Sequence, residues 1–113
     1  MAKFEIKDGV AIIPEGTTQI SNYAFDDCGT LESIVIPESV TKIGRHAFYG
    51  CSSLEIVHLP AGVSICETDS FKDCRNLKAI YVPEDKVEYY KEHFPADMHW
   101  LIVEEDSDLL AKA

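Results

Sequence analysis

Residues Pro37 to Leu59 read PESVTKIGRHAFYGCSSLEIVHL. The stretch before them, Pro14 to Ile36, reads PEGTTQISNYAFDDCGTLESIVI, and the stretch after, Pro60 to Val82, reads PAGVSICETDSFKDCRNLKAIYV. Prolines recur at 14, 37, 60 and 83, phenylalanines at 25, 48 and 71, cysteines at 28, 51 and 74, and leucines at 31, 54 and 77. Each step is 23 residues (37−14, 60−37, 83−60), with no insertion or deletion. A fixed period of this length marks a solenoid, one coil per repeat, because a single unit cannot bury its own apolar face and must stack on its neighbours.

Each unit divides into three parts. A strand comes first and ends just before proline, which has no N–H to give to a sheet. Its inward residues are Ile34 and Ile36, with equivalents Ala11/Ile13, Val57/Leu59, Ile80/Val82 and, in the last unit, Val103. A less regular extended segment follows, anchored by Val40 and Ile43, with Gly44 supplying a bend. The third part, AFYGC, spaces Ala47, Phe48 and Cys51 three and four residues apart and predicts a single helical or 3₁₀ turn. Stacking turns Phe25, Phe48 and Phe71 into a ladder.

Both ends differ from the repeat. Phe4, Glu5, Ile6 and Lys7 alternate like a strand, and Asp8-Gly9 separates them from Val10–Ile13, which predicts a hairpin capping the first coil. After Pro83, Asp85 and Glu88 have capping-box spacing for a helix ended by Pro95. Val87, Tyr90, Lys91 and Phe94 share its face. Phe94 falls in the phenylalanine register (94−71 = 23) and Trp100 in the leucine register (100−77 = 23). The expected fold is an α/β solenoid of about four coils in a single domain. It has one parallel sheet face, short helical turns opposite, and a cap at each end. Residues 1–13 form the hairpin cap and first strand, 14–82 three repeats, 83–105 an atypical closing repeat and 106–113 an acidic tail.

The string IPESVTKIGRHAFYGCSSLEIVHLP resembles the BspA-like class of leucine-rich repeat, whose pattern is I-P-x-x-V-T-x-I-G-x-x-A-F-x-x-C-x-x-L-x-x-I-x-I-P. The first repeat departs from it at Thr17 and Ser21, and the third at Cys66, Glu67 and Ser70. The segment VPEDKVEYYKEHF is similar to the unit that often closes such arrays. The resemblance implies a right-handed, leucine-rich-repeat-like stack and a bacterial source. It also implies kinship with proteins that are often secreted or on the cell surface and in some cases bind other proteins. It carries no catalytic residues.

Charge and composition narrow the function. With 10 basic against 20 acidic residues the formal charge is −10, which repels nucleic acid and anionic lipid. Apolar runs are too short for membrane insertion, and the N-terminus lacks a signal-peptide pattern. Taken as complete, the chain is cytoplasmic; taken as a piece of a longer protein, it belongs at the cell surface or outside the cell.

Chemistry finds no foothold. Cys28, Cys51 and Cys74 share one repeat position and read as a ladder of reduced, inward thiols. Neighbours in the ladder lie within disulfide reach, but parallel side chains seldom meet the required torsion. Cys66 replaces an isoleucine as a smaller core filler. No CxxC pair implies zinc, and His46, His58, His93 and His99 occupy four different repeat positions. No nucleophile–base arrangement or phosphate loop emerges, so the expectation is a protein without catalytic residues, metal or cofactor.

The outer strand face is different. One column reads Ile12, Val35, His58, Tyr81, Glu104, and its neighbour reads Val10, Ser33, Ile56, Ala79, Ile102. These positions alternate with the buried ladder and should face solvent, where His58 reads as a solvated surface residue. An exposed apolar patch marks an interaction site. Val10, Ile12, Val35, Ile56, His58, Ala79, Tyr81 and Ile102 are therefore the candidate protein-binding face. The partner is an unidentified protein, or a second copy closing a homodimer.

Overall fold

The computed structural model describes residues 5–66 and 69–105, and of Ile65 and Cys66 only the backbone. Phe4, the Cys66 side chain and the acidic tail 106–113 lie outside the described residues.

In chain order the elements are β1 (Glu5–Lys7), β2 (Val10–Ile12), β3 (Gln19–Ile20), β4 (Ser33–Val35), β5 (Lys42–Ile43), β6 (Ile56–His58), β7 (Ile65–Cys66), β8 (Ala79–Val82), α1 (Val87–Lys91), a 3₁₀ helix (Ala96–Leu101) and β9 (Ile102–Glu104). One sheet has six strands in the order β1-β2-β4-β6-β8-β9. Only β1 is antiparallel to its neighbour, joined by the Asp8-Gly9 turn with φ of 53° and 81°. Positive φ at both central residues is what a tight hairpin turn demands, and Gly adopts it without strain. Glu5 and Lys7 face outward on this edge strand, a charged edge that discourages further pairing.

A second, smaller sheet, β3-β5-β7, is formed by what the sequence marked only as extended segments. Gln19 pairs with Lys42 and Ile20 with Ile43. The isoleucines are fully buried while Gln19 and Lys42 point out, the period-two pattern of a half-buried strand. Gly44 follows β5, and its conformation is not the reason for glycine. A Cβ there would lie 2.6 Å from the Asn22 amide nitrogen. Asn22 fills that space and accepts a 2.8 Å hydrogen bond from the Arg45 amide through its side chain.

The core runs between the two sheets and the turns. Phe25 and Phe48 stack with centroids 5.1 Å apart and Phe48 and Phe71 with centroids 4.8 Å apart, their planes within 6° and 2° of parallel. That spacing is the inter-strand distance itself, so ring stacking and sheet pairing reinforce each other. Leu31, Leu54 and Leu77, and Ile34, Val57 and Ile80, form the other buried columns.

The AFYGC segment is not helical, contrary to expectation. Ala47, Phe48 and Cys51 do point inward, but through consecutive tight turns. Tyr23 and His46 have φ of 62° and 54°, and Asp27, Gly50 and Asp73 have φ of 56°, 69° and 62°. These left-handed residues stop a helix from propagating. Amides alternate in direction. Those of Ala47, Tyr49 and Cys51 bond three residues back, whereas those of Phe48 and Gly50 reach the carbonyls of Ser70 and Lys72 in the next unit at 2.8 and 2.9 Å.

The last unit departs from the expected register. Ile80 pairs with Ile102, a step of 22 (102−80), not 23. A one-residue slip moves side chains to the opposite face of a strand. Trp100 is accordingly 70% exposed and Leu101 takes the buried leucine position. Ile102 is buried and Val103 faces outward, the reverse of the sequence reading. The capping box is also absent. Lys86 precedes the first turn of α1 without a side-chain cap, and α1 ends at Lys91, before Pro95, which instead opens the 3₁₀ helix. Tertiary contacts hold α1 in place. Tyr90 is buried with its hydroxyl donating to the Pro60 carbonyl, and Tyr89 donates to the Val63 carbonyl at 2.6 Å. Phe94 continues the aromatic column, tilted 44° from Phe71 at 5.8 Å.

Candidate binding face

The outer face of the six-stranded sheet is built by register. Val10 pairs with Ser33, Ser33 with Ile56, and Ile56 with Ala79. Val35 pairs with His58, His58 with Tyr81, and Tyr81 with Val103. Ile12 stands beside Val35 in the same register. Strand alternation turns these residues away from the core.

The structure distributes the eight candidate residues unevenly. Val35 is 60% exposed, Ile12 48% and Val10 42%, and they form one apolar corner over β2 and β4. Ile56, Ala79 and Tyr81 are half-buried. Ile102 does not belong to the face, because the 22-residue step places it in the core, and Glu104 gives its place in the outer column to Val103. Val103 and Glu105 are the additions that periodicity could not supply.

His58 is not freely solvated, as the sequence suggested. Its ring stacks on Tyr81 with centroids 5.0 Å apart, and its Nδ1 lies 3.0 Å from Glu105 Oε1. Glu105 is held by its own amide, which donates to the Val82 carbonyl at 2.7 Å. The centre of the face is thus a fixed polar–aromatic unit, Tyr81–His58–Glu105, beside an apolar corner. A surface that is part ring, part hydrogen-bonding group and part bare aliphatic suits contact with another protein.

The opposite, turn side carries a different cluster. Asp69 Oδ2 lies 3.2 Å from Arg45 Nε and 3.1 Å from His46 Nε2, and the His46 ring packs between Tyr23 and Tyr49. The Asp73 carboxylate, by its charge and a hydrogen bond, raises the Tyr49 phenol above its ordinary value. All charges here are paired within the chain.

The thiols Cys28, Cys51 and Cys74 are free, and only Cys51 is fully buried. Cys51 and Cys74 donate to the carbonyls of Phe25 and Phe48 in the preceding units, both at 3.0 Å. The adjacent Cys74 thiol and burial together push Cys51 far above the usual thiol range. Among the described residues no three His, Cys, Asp or Glu side chains converge to hold a metal ion, and no helix is long and apolar enough to cross a membrane.

Residues 7–98 match the family model of the BspA type leucine rich repeat region, in six copies. The chain belongs to the BspA-type leucine-rich repeat family. The stacked strands, the Phe column and the Cys–carbonyl bonds are therefore the physical content of that repeat in this chain. This BspA-type chain is also similar to a leucine rich cell surface protein of Faecalibacterium prausnitzii A2-165, known from its crystal structure, with 29% identity, 69% of this chain covered and a TM-score of 0.47. The match spans 27% of that protein's length. Comparison with curated proteins gives no match.

Proposed function

We propose that this BspA-type repeat is a non-enzymatic interaction module that binds a protein partner through the outer face of the strand sheet. In this reading the chain winds as a short right-handed solenoid of about four coils, capped by the hairpin and by the helical last unit. The observation that carries the binding reading is the bare corner of Val10, Ile12 and Val35, three large aliphatic side chains at 42, 48 and 60% exposure on adjoining strands. Contiguous exposed apolar surface of this kind marks interaction sites. The Tyr81–His58–Glu105 unit beside it supplies an aromatic anchor and fixed polar groups. Such fixed groups set orientation and specificity more than affinity.

The partner is a protein with an apolar projection for the corner and basic groups for the acidic surround, since the chain carries a formal charge of −10. A photo-crosslinking side chain placed at Val35 should give one defined adduct with that partner, and the same group at Arg45, on the turn side, should give none. Adducts from Arg45 alone would place the binding surface on the turns. Light scattering over a dilution series reads whether the partner is a second copy of the chain.

A further inference from the structure

The ladder of amides that links one unit to the next stops at the third turn. The amides of Phe25 and Asp27 donate to the carbonyls of Ala47 and Tyr49, both at 2.7 Å, and those of Phe48 and Gly50 to the carbonyls of Ser70 and Lys72. Each bond spans 22 residues (47−25, 49−27, 70−48, 72−50). The same step from Phe71 and Asp73 leads to residues 93 and 95, where α1 and the 3₁₀ helix have replaced the turn. The Pro95 carbonyl is taken by the Met98 amide at 2.9 Å. The amides of Phe71 and Asp73 meet no acceptor among the described residues.

At this place lies a cavity of about 500 Å³, within the range of small-ligand pockets. Its third-unit wall includes Phe71, Asp73, Cys74 and Leu77, and its other wall Met98 and Leu101. The aromatic column opens here as well, from 4.8 Å between parallel rings to 5.8 Å between tilted ones. The last unit therefore covers the core but leaves the backbone edge of the third turn uncovered.

We propose that this cavity is a docking site for an extended peptide segment. Two of the segment's main-chain carbonyls, two residues apart, would accept hydrogen bonds from Phe71 and Asp73, and an apolar side chain would enter between Leu77 and Met98. The argument for peptide is chemical. In the two preceding units the equivalent donors are met by main-chain carbonyls with this spacing, and unpaired amides against an apolar floor favour a partner that supplies both kinds of group. Lys72, Arg75 and Asp97 also line the cavity, so its charges are mixed and the segment is a neutral one. The site is separate from the strand face and stands or falls independently of it.

The test uses amide-resolved NMR on the whole chain with N-acetyl-Ala-Leu-Ala-methylamide as probe. In the free protein the Phe71 and Asp73 amides should exchange with solvent at least about ten-fold faster than those of Phe48 and Gly50. The probe should then shift the Phe71 and Asp73 amides saturably, with an affinity on the order of 1 mM. Met98→Trp, which fills the cavity, should remove the shifts without lowering the melting temperature. Should Met98→Trp not fold, alkylation of Cys74 serves in its place: the probe should slow it while leaving Cys28 unaffected. Equal exchange protection at all four amides would overturn the proposal. So would the absence of shifts, shifts that survive in folded Met98→Trp, or Cys74 alkylation that the probe leaves unchanged or slows only together with Cys28.

Discussion

Ile80 pairs with Ile102, 22 residues on, whereas each strand pair before it, such as Val57 with Ile80, steps by 23. That single missing residue decides which side chains of the last unit are core and which are surface.

The pair Trp100 and Leu101 reads the slip directly. Leu101→Ala removes a buried side chain and should cost about 2–5 kcal/mol in denaturant unfolding. Trp100→Ala removes an exposed one and should stay within about 0.5 kcal/mol of the parent. A large loss from Trp100→Ala with little from Leu101→Ala would restore the 23-residue register.

Phe48 lies between two parallel rings, those of Phe25 and Phe71. Phe48→Ala should cost about 3–5 kcal/mol, a large part of what a small domain has. Thermal melting checks it, and a shift of a degree or two would show that the aromatic column does not carry the core.

How much of this was legible follows from where the period holds. The Phe25/Phe48/Phe71 column and its extension to Phe94 could be read, because one repeated residue type at a fixed step leaves no freedom. The turns could not. Ala47, Phe48 and Cys51 have helical spacing, and of the left-handed residues beside them only Gly50 announces itself, while Tyr23, His46, Asp27 and Asp73 do not. The second sheet was missed because its strands are two residues long, too short for alternation to show. At the candidate face, Val10, Ile12 and Val35 were legible from alternation. Ile102 was misplaced because Trp100 and Leu101 can each fill a leucine site, and sequence does not say which. The His58–Glu105 contact joins residues 47 apart, one of them outside the repeat, and no periodicity announces it.

Cys51 gives a pH dependence with a definite sign. Its folded-state pKa is raised above the ordinary 9.0 by Cys74 and by burial. As pH rises past that ordinary value, the unfolded thiol loses its proton while the folded one keeps it. The folded state then binds more protons, so stability is complete below about pH 9 and falls above it, by at most about 1.4 kcal/mol per pH unit. Denaturant unfolding from pH 8 to 10.5 should show this fall, and Cys51→Ala should flatten it. An unchanged slope in the variant would mean that the Cys51 environment does not hold its proton.

The central claim is that the strand face, not the turn side, is the binding surface. The most direct measurement is partner binding by an Ile12→Lys/Val35→Lys variant beside an Arg45→Ala/Lys72→Ala variant, both confirmed to melt near the parent temperature. The strand-face pair should lose binding by about 100-fold or more, the scale of a hot-spot loss, and the turn-side pair should bind like the parent. Retention of binding by Ile12→Lys/Val35→Lys together with loss in Arg45→Ala/Lys72→Ala would contradict the account.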